Sequence, residues 1–413
     1  MKQTLSILLF TSASMTLAGF AYGGTWVEIP TLPNAAQCVP EDINNSGLTV
    51  GNCTANSGTK NSFPWVADGA THTQQVTLPY LVAGQPCGVW GISNNAIAIG
   101  SCRDAMSASY AVRWNTASPS SAPEKLDALP ATLLLPLLRP KDKYTAGRAY
   151  NDQGDVVGNS YNADNDGTAV FYPNGVSTPT RVSNWDDNCR PSAVNLPTSG
   201  NLMISLNCPN NQGSNTAKVA EKNGASFTIT NLTIPTGANF CTVVHVNNRS
   251  QFIGTCHYPN EEINVTNTAF WSSKTATPIL LTLSSGSKNA AITLNNSGIA
   301  LVTQVLDDGK NQYMIWLPMP PLPLINIIVL PNGATSARMV GLSSNNRVAL
   351  DTYDASKHIQ ACTWTLAGGP ICLSPINGGL NSSVTALSEN GSYIAGQIID
   401  SSENTVSATS TTP

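Results

Sequence analysis

The chain has 413 residues and a mass of 43.3 kDa, more than one compact core accommodates, so it must divide into domains or build one repeat array. Charged residues make up 11% and the net charge is −4, so no basic field exists to displace counterions from nucleic acid. Hydrophobic residues reach 41%, which excludes wholesale disorder, and Asn, Ser, Thr and Gly fill the polar positions, which favours strands and turns over helices.

The first segment reads as an export signal over residues 1–21. Met1-Lys2-Gln3-Thr4 is a short positive start, residues 5–18 are apolar, and small residues follow up to Ala21. The apolar stretch falls short of the roughly 20 residues a spanning helix needs. The next apolar run, 317–330, is broken by Pro318, Pro320, Pro321 and Pro323. The expectation is a secreted or periplasmic protein with no membrane insertion after cleavage, and one repeat domain over 24–413.

From residue 43 onward the chain repeats. An apolar anchor is followed by Asn or Ser, then turn residues, then a β-rich run. The motif starts at Ile43-Asn44 and recurs at Ile92-Ser93, Tyr150-Asn151, Val194-Asn195, Val246-Asn247, Leu294-Asn295, Leu342-Ser343 and Leu387-Ser388, at spacings of 44 to 58 residues. Each unit reads as four short strands, a to d. Strand a ends at the anchor, and a turn such as Asn44-Asn45-Ser46-Gly47 leads into b. Strand c carries an aromatic, as in Phe63-Pro64-Trp65, Ala269-Phe270-Trp271 and Thr363-Trp364. Aromatics at one place per unit fit a core between units. The reading is an all-β, eight-bladed β-propeller of four-stranded blades, with a seven-bladed ring or an open β-solenoid as alternatives. The chain opens on a d-like strand within 25–32 and closes on strands a, b and c only, so the N-terminal strand is expected to complete the last blade and close the ring.

The combination of apolar-Asn-x-x-Gly-x-Val-Val-Gly with a later Ala-Phe-Trp resembles the HAF extracellular-repeat family. The matching stretches are 150–158 with 169–172, and 246–254 with 269–271. The resemblance implies a secreted β-propeller-like protein. It carries over no catalytic residue, since the family has no shared activity to transfer.

Ten cysteines, an even number, suit an exported chain. Cys38, Cys87 and Cys241 lie as far before their a–b turns as Cys53, Cys102 and Cys256 lie after them. Residues equidistant from a hairpin turn face each other, so Cys38–Cys53, Cys87–Cys102 and Cys241–Cys256 are expected to bond. Cys189–Cys208 follows if strands a and b of the fourth unit are each longer by two residues. Cys362–Cys372 would join strands c and d around Ala367-Gly368. Each bond closes a loop worth up to about 3 kcal/mol in the chain-entropy picture. There is no CxxC, and four His (His72, His245, His257, His358) are dispersed, so no metal site is read here.

Nucleophile elbows, zinc motifs, dinucleotide fingerprints and phosphate loops are all missing from the sequence. The leading expectation is therefore a non-enzymatic protein that binds a protein or glycan through one face. The alternatives are a hydrolase or lyase with its site at the central channel, and a structural surface or matrix component. Irregular insertions supply the candidates. The d–a connection after the second unit holds an apolar run, 133–138, expected to be a buried extra strand or turn, with an exposed docking patch as the alternative, followed by Arg139, Lys141 and Lys143. The next holds Asn184-Trp185-Asp186-Asp187, where Trp185 could stack on a sugar ring and Asp186 and Asp187 hydrogen-bond its hydroxyls, the equal alternative being that Trp185 plugs the seam between blades. The b–c loops carry Asp164, Asp166, Glu261, Glu262, Asp307 and Asp308. Asp164 and Asp166 have the alternation of a calcium loop without its closing Glu, and a plain turn is the stronger reading, so no cofactor is expected beyond calcium as that alternative. Because d–a and b–c connections emerge together, these residues should share one face, opposite compact a–b turns. A non-reducing peptide map is expected to return the five cysteine pairs, each within one unit; a bond between units would contradict the repeat register.

Overall fold

The computed structural model describes residues 25–412, apart from 34, 56–61, 69–74, 135–136, 211–212, 260–264, 284–287, 320–322 and 377–378. The export signal, His72, Glu261 and Glu262 lie outside the described residues. Among those described, the chain forms eight four-stranded antiparallel sheets and one two-stranded hairpin, with no α-helix. The sheets are the blades of an eight-bladed propeller, in chain order at 35–77, 87–125, 144–181, 190–231, 240–280, 288–327, 334–372 and 381–411. Strand a is innermost in each and strand d outermost. Blade 8 takes its fourth strand from the start of the chain: Val27–Ile29 pairs with Thr405–Thr411, with Val27 opposite Thr409 and Ile29 opposite Ser407. Closure in this way leaves no open end to the array.

The interior is divided among the seams between blades. Val219 of blade 4 packs with Val243, Phe252 and Trp271 of blade 5, and Leu301 and Ile315 of blade 6 pack with Val348, Leu350 and Trp364 of blade 7. The strand c aromatics Trp65, Trp114, Tyr172, Trp271, Trp316 and Trp364 are all buried. Their place in the repeat is therefore core, as the pattern predicts. Gly51 in strand b of blade 1 shows why that strand carries glycine. A Cβ there would lie 2.1 Å from the Val39 carbonyl oxygen and 2.4 Å from the Trp65 ring.

The residue after each anchor ties the ring together. Asn44, Asn151, Asn195, Asn247 and Asn295 each donate their Nδ2 to the backbone carbonyl of the equivalent residue in the next blade: Ser93 at 3.2 Å, Asn195 at 3.1 Å, Asn247 at 3.2 Å, Asn295 at 2.9 Å and Ser343 at 2.8 Å. Their Oδ1 atoms hold their own turns; that of Asn295 accepts from the Ser297 and Ile299 amides at 3.1 and 2.9 Å. Serine at 93, 343 and 388 cannot span the seam, and neighbours do so instead. Asn94 donates to Asp152 at 2.7 Å, the Ser344 amide to the Glu389 carbonyl at 2.7 Å, and the Asn390 amide to Asn45 Oδ1 at 2.7 Å.

All five disulfides form as the spacing predicts. Four join residues directly opposite in the ladder. The fourth blade differs from expectation in detail. Val194 pairs with Ile204, and the Asn195 amide bonds the Met203 carbonyl, so the extra residues enlarge the a–b loop instead of lengthening both strands. That loop leans on blade 5, where the Leu196 amide reaches Asn248 Oδ1 at 2.8 Å.

The apolar run 133–138 also departs from expectation. Thr132–Leu134 and Leu137–Arg139 form a hairpin outside the blades, and Leu133 and Leu138, opposite each other, are 64% and 65% exposed. Its strands pair with each other and with no blade, so no seam closes over them.

Asn295→Ala removes a bond across a seam and two turn contacts from a buried site, and is expected to lower stability by about 2–3 kcal/mol. For a chain of this size that is a fall in melting temperature of roughly 3–5 °C. Asn295→Ser should fall about half as far, because Ser343 and Ser388 already hold their own turns through Oγ. Thermal unfolding of the two oxidised variants checks both.

Candidate functional site

Every inner strand slips register by one residue just before its anchor, between Pro40 and Asp42 in blade 1 and between Val243 and His245 in blade 5, and likewise in the other six blades. Such bulges bend a strand and re-aim the side chains beside them. The residue after the bulge is small in most blades: Gly91, Ala149, Ala193, Gly341 and Ala386. It is Asp42 in blade 1, His245 in blade 5 and Thr293 in blade 6. These three side chains line a cavity of about 400 Å³ at the a–b end of the central channel, together with Tyr150, Asp152 and Glu389.

Asp42 is held from three sides. Its Oδ1 accepts the Ile43 amide at 2.9 Å, and its Oδ2 accepts the Ile92 amide at 2.8 Å and the Tyr150 phenol. Burial outweighs these hydrogen bonds and pushes the carboxyl up to about 6. Tyr150 belongs to blade 3 and reaches Asp42 across blade 2. Glycine at 91 makes that reach possible, since a Cβ there would lie 2.3 Å from the Tyr150 ring. Burial and the Asp42 charge hold the phenol well above its ordinary value. Burial and the nearby Glu389 raise Asp152, whose Oδ1 accepts from Asn94. Glu389 accepts from Asn296 at 2.9 Å and from Asn45 at 3.3 Å, linking blades 6, 8 and 1 at the mouth.

His245 lies in blade 5, on the opposite side of the ring from blade 1. Burial lowers its pKa, which keeps the imidazole neutral at pH 7, and its Nδ1 has no hydrogen-bond partner. Among the described residues no Lys or Arg lines the cavity. The site thus combines an acid that titrates near 6, a neutral imidazole and acceptor-rich walls. Among the described residues no group of three or more His, Cys, Asp or Glu is arranged to hold a metal ion.

The residues singled out from sequence lie elsewhere, in the d–a and b–c connections. Arg139 of the extra hairpin pairs with Asp186 at 2.7 Å, so the two enlarged connections do meet. The Arg139 and Arg181 guanidinium groups lie 4.0 and 4.8 Å from the Trp185 ring centre, over the surface a sugar would need. Trp185 also packs against the seam of blades 2 and 3. Asp187 accepts from the Ser183 hydroxyl at 2.7 Å and from the Asn184 and Cys189 amides at 3.1 and 3.2 Å. Asp166 accepts from Asn188, and Asp164 is exposed on a turn that Asn162 caps. Asp308 pairs with Lys310 at 2.9 Å. His358 pairs with Asp354 on the surface.

Sequence reasoning missed Asp42, Asp152 and Glu389 and placed His245 only as a strand residue. For two of them the signal was present: Asp42 and His245 stand at a repeat position that is otherwise Gly, Ala or Thr. Tyr150, the one aromatic among the eight anchors, carried the same message.

No protein-family model and no curated protein sequence matches the chain. Solved structures do. The chain is similar to a prolyl endopeptidase at 13% identity and a TM-score of 0.53, over 91% of this chain and 54% of that one. It is similar to a post-proline cleaving enzyme from Rickettsia typhi at 10% identity and a TM-score of 0.51, over 87% and 55%. It is similar to prolyl oligopeptidase B from Galerina marginata at 10% identity and a TM-score of 0.52, over 88% and 55%. At these identities the likeness is one of fold, and the chain spans about half the length of each enzyme. The expectation of a non-enzymatic protein binding a protein or glycan by its d–a and b–c face is corrected here. The three solved structures named above are enzymes, Asp166, Asp186 and Asp187 of that face are engaged within it, and a raised carboxyl and a lowered imidazole, Asp42 and His245, line one cavity at the other end of the channel.

The raised Asp42 pKa has a sign. The folded chain holds this proton more tightly than the unfolded chain, so the contribution to stability is full below the unfolded value of 3.8 and is lost as pH rises through about 6. Asp42→Asn keeps the size and removes the charge, but its single carboxamide oxygen can accept only one of the two amides that Asp42 holds on separate oxygens, a loss that does not vary with pH. The parent should therefore lose about 2 kcal/mol of stability relative to Asp42→Asn between pH 4 and pH 8. Paired melting curves at the two pH values check this.

Proposed function

We propose that the chain is an exported hydrolase or lyase that works at the a–b end of its central channel. One observation carries the reading: a protonatable carboxyl, Asp42, and a neutral imidazole with a free Nδ1, His245, line one cavity from opposite blades. Hydrolysis and elimination both need a proton delivered to the leaving group and a proton taken from water or from carbon. Asp42 is the donor, with Tyr150 fixing its orientation. His245 is the acceptor. Asp152 and Glu389 favour positive charge where it develops, as on the sugar ring in glycoside cleavage.

The walls also restrict the substrate. Amides, hydroxyls and carboxyls surround the cavity above aliphatic Ile43, Ile92, Leu294 and Leu342, with no cation. That lining suits a neutral, hydroxyl-rich group and disfavours an anionic one. Export fits both the signal-like segment at 1–21 and the five disulfides, which persist in oxidising compartments. No helix among the described residues is long and apolar enough to cross a membrane.

The test is turnover by the oxidised chain on neutral glycans, esters and proline-containing peptides between pH 4 and 8. Activity should peak in weak acid. It should fall as Asp42 ionises above about 6 and as His245 protonates below its lowered value. Asp42→Asn and His245→Gln should each cost about 100-fold or more in kcat. Turnover unaffected by both substitutions, or none on any class, would overturn the assignment.

A further inference from the structure

The outer strand of blade 6, Leu324–Ile327, is unlike the others. It pairs inward with Asn311–Leu317, and, as for the other outer strands, no strand among the described residues covers its outer edge, but its side chains are more apolar and exposed. Leu324, Ile325 and Ile327 are 56%, 39% and 47% exposed, and Val329 beside them is 66% exposed. With Met319 at 54%, five large apolar residues are uncovered within eleven positions. Their combined area is on the order of several hundred Å², the size at which a patch on a soluble protein marks an interaction site.

Most other outer strands are protected. Val27–Ile29 holds Glu28, Gln75–Thr77 is polar at both ends, Glu124–Lys125 is charged throughout, Thr180–Arg181 ends in a cation, Ser226–Asn231 alternates polar side chains, and Gly369–Cys372 is tied down by a disulfide. Ile279–Leu280 is also apolar, but it is two residues long and half-buried. Charges and polar groups on an edge strand prevent pairing with another chain. The segment 324–329 has none of the charges, and its one polar side chain is Asn326.

We infer that this strand is a dimer interface, joining blade 6 of one chain to blade 6 of a second copy across a two-fold axis. Three features favour a second copy over another partner. Antiparallel pairing of a strand with its own copy satisfies both edges at once, as a two-fold contact requires. A chargeless strand places no like charges opposite each other, and the net charge of −4 adds little repulsion between whole chains. Pro323 and Pro331 bracket the segment, so pairing stops at its ends and the contact closes as a dimer instead of extending. The two patches together approach the roughly 1,000 Å² that a specific interface needs. The interface lies on the rim, away from the channel, so it stands independently of the proposed activity.

Sedimentation velocity of the oxidised chain from about 0.1 to 50 μM tests it. The expected result is a monomer–dimer equilibrium that Ile327→Lys with Val329→Lys weakens at least 100-fold, with the circular dichroism spectrum and melting temperature unchanged. Leu133→Lys with Leu138→Lys, on the other exposed apolar element, should leave the equilibrium as it was. A monomer throughout overturns the proposal. So does a dimer that survives the blade 6 substitutions, or one lost through the hairpin substitutions instead.

Discussion

A hydrogen bond from one blade's turn to the next blade's backbone is the constraint on which this ring depends. A propeller has no central core to hold it. Each blade touches two neighbours, so the angle between blades must be set eight times with little error. The residue after each anchor sets it. Its carbonyl side closes a turn and its amide side reaches across the seam, so one asparagine fixes both the shape of a blade and its distance from the next. Asparagine suits this because it carries a donor and an acceptor on a short, stiff side chain. Where serine takes its place, Asn94, the Ser344 amide and Asn390 supply the crossing. The constraint lies on the seam, and the means of meeting it vary.

The same frame explains where chemistry can be placed. With every inner strand bulged at one level, eight side chains ring the channel there. Small residues leave the cavity open, and the exceptions, Asp42, His245 and Thr293, equip it. Gly91 does more than stay small, since its missing Cβ is the passage through which Tyr150 meets Asp42. Enclosure by the ring then raises the carboxyl and lowers the imidazole, two shifts with one cause.

Much of the fold was legible because repetition multiplies weak signals. One Ile43-Asn44 pair means little, but eight such positions give blade count, strand order and, through the cysteines, the register of strands a and b. Closure by Val27–Ile29 could be read from an unpaired d strand at one end and a missing one at the other. The site was less legible for the same reason. Attention to insertions led to Trp185 and Asp186, where Arg139 neutralises the carboxylate and covers the ring. The informative residues were single departures within the regular part, and their meeting depends on blades 1, 3 and 5 being brought around a circle, a distance no local spacing expresses. The hairpin at 132–139 failed to read correctly because a run of five leucines looks buried until it is known that its strands pair with no blade.

Closure by the first strand gives the ring a fixed order of completion. Seven blades are assembled from consecutive segments, and the five disulfides lie within blades, so each can mature locally as the chain is made. Val27–Ile29 is synthesised early and seated last, because its partner Thr405–Thr411 comes from the far end. Until then the edge of Thr405–Thr411 stays unpaired and two seams lie bare. Contacts this distant in sequence are slow to form. The channel, whose walls come from blades 1 to 8, therefore closes only once blade 8 has been made, and a product cut short of that blade lacks Leu387 and Glu389 from the cavity.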